Sequence, residues 1–227
     1  MSGRVITQTT ERAAALRRAL TERVVVADGA MGTMLQASDA TVADFRDHEG
    51  CNEVLNVTRP DIVRAVHDAY FEAGADCVTT NTFGANLGNL SEYDIPGRIF
   101  ELSEAGARLA REAADASAAA EGRPRWVLGS IGPGTKLPTL GHVTFRELRD
   151  SYYENAAGLL RGGADALIIE TCPDLLQAKA AVIGTRRAVA DLAPGAVVIA
   201  DGAMGTMLQA HDLTLDDFEG HEGSTRC

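Results

Sequence analysis

Short β-branched runs alternate with helical stretches along this chain, and each run ends in polar or glycine-rich residues. That pattern leaves few folds open. The runs lie at about 23–27, 76–80, 126–131, 164–169 and 196–200, for example Trp126-Val-Leu-Gly-Ser-Ile131 and Ala164-Asp-Ala-Leu-Ile-Ile169. Continuous apolar runs of this length read as strands covered on both faces. Between them, Pro60 opens a helix whose buried stripe is Ile62, Val63, Val66, Ala69 and Tyr70. A long alanine-rich helix follows over 97–119. Thr144 caps another helix carrying Leu148, Tyr152, Ala156 and Leu159 up to Gly162-Gly163, and a last one covers 174–190. Ahead of the first strand, 11–22 reads as an amphipathic helix with Ala15, Leu16, Ala19 and Leu20 on one face, preceded by a frayed polar 1–10. A short helix is expected around 41–47.

Strand and helix alternating in this way predict parallel βα units, an α/β class. In such folds ligands bind at the carboxyl ends of the strands. The residues gathered there are Asp28, Asn81 and Thr82, Gly132 to Thr135, and Glu170. The first strand breaks into Asp28-Gly-Ala-Met-Gly-Thr33, a tight turn opening a short helix through Gln36. This places a carboxylate at a strand end and leaves the backbone N–H groups of the first helical turn free for an anionic group.

Composition narrows the partners. Net charge −11 in 227 residues argues against nucleic acid and anionic membrane surfaces as partners, though not against a small anionic ligand held locally. No run approaches the ~18 apolar residues of a membrane span, and no apolar signal core follows the amino terminus, so the expected location is cytoplasmic. The four cysteines, Cys51, Cys77, Cys172 and Cys227, show no C-x-x-C spacing, which argues against a disulfide framework and a ready-made zinc site.

Five stretches fall in an order that resembles a known family. They are Val25-Val-Ala-Asp-Gly-Ala-Met-Gly-Thr-Met-Leu-Gln36, Gly50-Cys-Asn-Glu-Val-Leu-Asn-Val-Thr-Arg-Pro60, Thr80-Asn-Thr-Phe-Gly-Ala-Asn86, Gly129-Ser-Ile-Gly-Pro-Gly-Thr135 and Gly163-Ala-Asp-Ala-Leu-Ile-Ile-Glu-Thr171. Together they resemble the amino-terminal homocysteine-binding domain of cobalamin-dependent methionine synthase, over roughly residues 16–190. The resemblance implies a TIM barrel that binds homocysteine and holds zinc, which converts a weakly nucleophilic thiol to a thiolate able to attack a methyl group. It implies cobalamin and methyltetrahydrofolate on separate downstream modules, none of which is in this chain, so other modules of that enzyme or a second chain are the expected protein partners.

Carried over by resemblance, Asp28 and Glu170 sit near the substrate ammonium, backbone N–H groups of Ala30, Met31, Gly32 and Thr33 receive its carboxylate, and Gly29 belongs to the same substrate-binding turn. Asn81, Thr82 and Phe83 line the same mouth. Asp28 has a second reading as a cap of its own turn, Glu170 as a salt-bridge partner at a strand end, and Phe83 as a packing residue. The family's zinc ligands are three cysteines, one after the sixth strand and a pair in a Gly-Gly-Cys-Cys-Gly turn after the eighth. Neither motif occurs here. Cys77 reads as a small buried hydrophobe, leaving Cys51 and Cys172 as the pair to examine; His48, His142 and His221 read as surface or loop residues.

The chain then repeats its first strand. Aligning residues 25–50 with 198–223 gives 19 identities in 26 positions, including the whole Asp-Gly-Ala-Met-Gly-Thr-Met-Leu-Gln run. Residues between the copies do not repeat, so this is no solenoid. The expected organisation is an N-terminal extension and helix over 1–22, an incomplete homocysteine-binding barrel of about four βα units over 23–195, and the second strand-one copy over 196–227. The expected function is methyl transfer to the homocysteine thiol, catalytically incomplete in this chain. The alternatives are a non-catalytic amino-acid-binding or interaction fragment and a remnant of a cobalamin-independent homocysteine methyltransferase.

Overall fold

The computed structural model describes residues 2–202. Eight α-helices and four strands alternate among these: α1 (Ser2–Glu22), α2 (Met31–Gln36), α3 (Leu55–Thr58), α4 (Pro60–Glu72), β1 (Cys77–Thr79), α5 (Leu87–Glu92), α6 (Ile99–Glu121), β2 (Trp126–Ile131), α7 (Phe145–Gly162), β3 (Ala166–Cys172), α8 (Leu175–Leu192) and β4 (Val197–Gly202). The strands form one parallel sheet in the order β1-β2-β3-β4, so every connection returns to the adjacent position without reversing direction. No described helix is long and apolar enough to cross a membrane.

Alternate strand residues face different layers, as the period of two requires. Val78, Val127, Ile131, Leu167 and Ile169 pack into the large core beneath α6, α7 and α8. Cys77, Trp126, Leu128 and Ala166 point the other way and are covered by Leu16 and Ala19 of α1. The three large helices approach closely because glycine faces backbone at each contact. A Cβ on Gly162 of α7 would lie 2.5 Å from the Glu104 carbonyl of α6, and one on Gly184 of α8 would lie 2.4 Å from the Arg149 carbonyl of α7. Thr144 and Glu147 form the expected capping box at the start of α7, and Gly163 at φ 103° ends that helix in a conformation only glycine adopts readily.

Fully buried Asp165, just before β3, ties three elements together. It accepts from Arg12 of α1 at 2.5 Å, from Arg111 of α6 at 2.7 Å and from the Val127 amide of β2 at 2.9 Å.

Several expectations need correction. The first strand is not buried on both faces. It makes a short ladder with β1, from Asp28 N to Cys77 O at 3.0 Å and from Cys77 N to Val26 O at 3.2 Å, centred on one bridge between Ala27 and Cys77. Val24 and Val26, on one face of this strand, are 82% and 52% exposed, whereas Val25 on the other face packs against the α1 cluster. Residues 2–10 belong to α1, so the helix starts at Ser2. Leu20 is exposed, and over residues 11–22 α1 buries Ala13, Leu16 and Ala19. In α4 the buried stripe passes through His67 and Phe71 rather than Ala69. The short helix after Ala40 is one 3-10 turn, Val42–Phe45. Most of the repeated strand-one segment lies outside the described residues; its first part, Val197–Gly202, forms β4 beside β3.

Candidate functional site

Residues at the carboxyl ends of the first strand, β1, β2 and β3 surround a cavity of about 320 Å³. Eight of the ten residues singled out from the sequence line it: Gly29, Ala30, Met31, Gly32, Asn81, Thr82, Phe83 and Glu170. Asp28 and Thr33 do not. Thr33 is exposed on α2. Asp28 stands against the lining residue Thr79, half-buried.

The Asp28 turn is held by α4. Tyr70 donates to the Ala30 carbonyl at 3.3 Å, and its hydroxyl would lie 3.1 Å from a Cβ on Gly29, so a larger residue there would press on this contact. No side chain caps α2, whose first-turn N–H groups stay available beside the cavity. The Asp28 carboxylate does not cap its own turn. It accepts from the Thr79 amide at 2.9 Å and the Thr79 hydroxyl at 3.1 Å, across to β1. Burial and the nearby charge of Glu170 nevertheless outweigh those bonds and push its pKa up to about 6. Glu170 accepts from the Ser130 hydroxyl at 2.6 Å, reaching from β3 to β2. Next to it, Thr171 sits at φ 58° where the β3–β4 register shifts, a bulge that re-aims the strand end.

The wall over Asn81 and Thr82 is a closed polar network. Thr82 donates to the Ser130 carbonyl at 2.8 Å, and the Ser130 amide donates to Thr80 Oγ1 at 2.9 Å. Asn81 donates to the Asn52 carbonyl at 2.8 Å and to Asn56 Oδ1 at 3.0 Å. Phe83 is 42% exposed at the rim, and its carbonyl would lie 2.4 Å from a Cβ on Gly132, so it both packs and lines.

Sequence reading missed Asn52, Glu53, Thr79, Thr80 and Ser130, all of which line the cavity. Glu53 is buried, accepts from the Gly84 amide at 2.7 Å and from the Cys51 thiol at 3.6 Å, and its pKa is raised by burial. The only signal for it was a carboxylate in an otherwise buried apolar segment, Gly50-Cys-Asn-Glu-Val-Leu. Neither lysine nor arginine lines the cavity, whose charged groups are Glu53 and Glu170. It therefore suits a cationic group at the carboxylates and an anionic one only at backbone N–H groups.

The residues present do not fit the zinc that the resemblance implies. No cysteine lines the cavity, and among the described residues no three His, Cys, Asp or Glu side chains group as metal ligands. Burial pushes Cys51 and Cys77 up to about 12 and Cys172 up to about 11, away from the thiolate a metal needs.

A sequence model of the family described as homocysteine S-methyltransferase matches residues 25–194. The methionine synthase of Mycobacterium tuberculosis is 61% identical over 170 residues, covering 75% of this chain and 14% of that protein. The methionine synthase of Mycobacterium leprae is 53% identical over 201 residues, covering 87% of this chain and 17% of that protein. The chain thus spans less than a fifth of the length of these curated relatives. Among solved structures, the homocysteine methyltransferase MmuM from Escherichia coli in its metallated form superposes with a TM-score of 0.64 at 25% identity, covering 81% of this chain and 64% of that one. Its apo form gives 0.60 at 25% identity over 82% and 62%.

Proposed function

Because the chain belongs to the homocysteine S-methyltransferase family, we propose that its cavity binds homocysteine as the methyl acceptor of a methionine synthase. The observation that carries this is the pairing of Asp28 and Glu170, on strands far apart in sequence, beside a cavity lined by no basic side chain. Two carboxylates match the substrate ammonium. The uncapped N–H groups from Ala30 to Thr33 match its carboxylate, and Asn81, Thr82 and Phe83 set the width of the mouth. In this reading the sheet and its one-sided large helices are the first part of a (β/α) barrel, a view supported by the unbroken strand order and the MmuM superposition. The chain alone then binds and orients the acceptor without activating its thiol, since no metal-binding set stands at the cavity among the described residues.

Calorimetric titration with homocysteine tests the reading. Wild type should bind at pH 7.5, and Glu170→Gln should weaken binding by about 10-fold or more, as expected for a lost charge-assisted contact of roughly 1.5–3 kcal/mol. Equal affinity in Glu170→Gln, or no binding by wild type, would overturn it.

A further inference from the structure

Each of the two carboxylates is held by a hydroxyl from the neighbouring strand. Thr79 of β1 donates both its amide and its hydroxyl to Asp28, the hydroxyl lying 3.1 and 3.3 Å from the two oxygens. Ser130 of β2 donates to Glu170 at 2.6 Å. Thr79 and Ser130 line the cavity together with Glu170, and Asp28 stands against Thr79 at its edge. We propose that Thr79 and Ser130 are the positioning residues of the ammonium site, each fixing one of the two carboxylates in orientation by a donated hydroxyl. The proposal rests on the homocysteine reading for its ligand, but the charge-holding role of Thr79 stands on the free protein.

The physical need is direct. Like charges near each other in a half-buried site disfavour double ionisation, whereas hydrogen bonds donated to a carboxylate favour its charged form. The titratable groups facing Asp28 are Glu170 from β3 and Cys77 from β1, with Glu53 lining the same cavity. None is a cation, so the donated hydrogen bonds are what oppose the repulsion. Burial already carries Asp28 to about 6 with Thr79 in place. Removing the hydroxyl leaves the backbone amides of Thr79 and of Asp28 itself, which no side-chain substitution deletes.

The test begins with ligand-free protein. In Thr79→Val, the carboxyl carbon of Asp28, followed by carbon-13 NMR, should titrate about one pH unit higher than in wild type, while Thr79→Ser should restore the wild-type value. An unchanged midpoint in Thr79→Val overturns the proposal, whatever the protein binds. The second arm compares homocysteine with its deaminated analogue 4-mercaptobutyrate by calorimetry at pH 7.5. Thr79→Val and Ser130→Ala should lose several-fold affinity for homocysteine and keep wild-type affinity for the analogue, which has no ammonium to hold. Equal losses for both compounds would mean general damage to the cavity and would overturn the positioning role. Absence of homocysteine binding in wild type would refute the substrate reading, and the NMR arm would still decide the role of Thr79.

Discussion

His67 offers the sharpest stability test in the molecule. It is fully buried on α4, and neither ring nitrogen has a hydrogen-bond partner. Burial is the main cause that lowers its pKa to about 4; Arg64 pushes the same way and Asp68 opposes it. The folded state therefore holds the imidazole neutral while the unfolded chain, near 6.5, takes up a proton first. Between these values the unfolded state binds more protons, so stability is lost as pH falls from about 6.5 towards 4. Linkage with these two pKa values makes the loss about 2 kcal/mol by pH 5 and nearly nothing at pH 7.5.

His67→Leu, close in volume, removes both the titration and the unpaired polar atoms. At pH 7.5 it should be more stable than wild type by roughly 1–2 kcal/mol, the cost of a buried unpaired polar group. At pH 5 the advantage should widen by about 2 kcal/mol. Urea denaturation of both proteins at the two pH values reads this directly. Comparing the variants is necessary because Asp28 acts in the opposite sense. Its folded pKa, raised to about 6 from 3.8, adds relative stability as pH falls through that window, equally in both proteins. A constant difference between the two proteins at pH 7.5 and pH 5 would refute the reasoning.

Other outcomes follow from the same contacts. Asp165→Ala removes the buried carboxylate of Arg111, leaving it only the exposed Asp115, and should cost about 3 kcal/mol or more in a urea midpoint analysis; a cost below about 1 kcal/mol would show that Asp115 and solvent take over the pair. Thr144→Ala removes the capping box of α7 and should cost about 1 kcal/mol, measured the same way. Gly132→Ala drives a Cβ into the Phe83 carbonyl and should abolish homocysteine binding, while Gly97→Ala, whose Cβ meets nothing within 4 Å, should leave binding unchanged; calorimetry distinguishes them. Elemental analysis of chelator-rinsed protein should find less than about a tenth of an equivalent of zinc, with or without homocysteine, since the described thiols stay protonated. Near one equivalent, lost in Cys51→Ser or Cys172→Ser, would reveal a site built from those residues.

What the amino-acid order determined by itself was everything encoded within a short window. The period of apolar residues, the Thr144–Glu147 box and Gly163 closing α7 are local, and local sterics and hydrogen bonding decide them. Only the tertiary structure decided which distant side chains meet. Thr79 reaches Asp28 across 51 positions and Ser130 reaches Glu170 across 40, and both contacts depend on the register of neighbouring strands. Burial of Glu53 and His67 likewise follows from which helix and loop faces are covered, which their neighbours in sequence do not specify. The exposure of Val24 and Val26 has the same origin, for a strand's apolar run states its preference for burial while tertiary packing on each face of the sheet determines whether anything covers it.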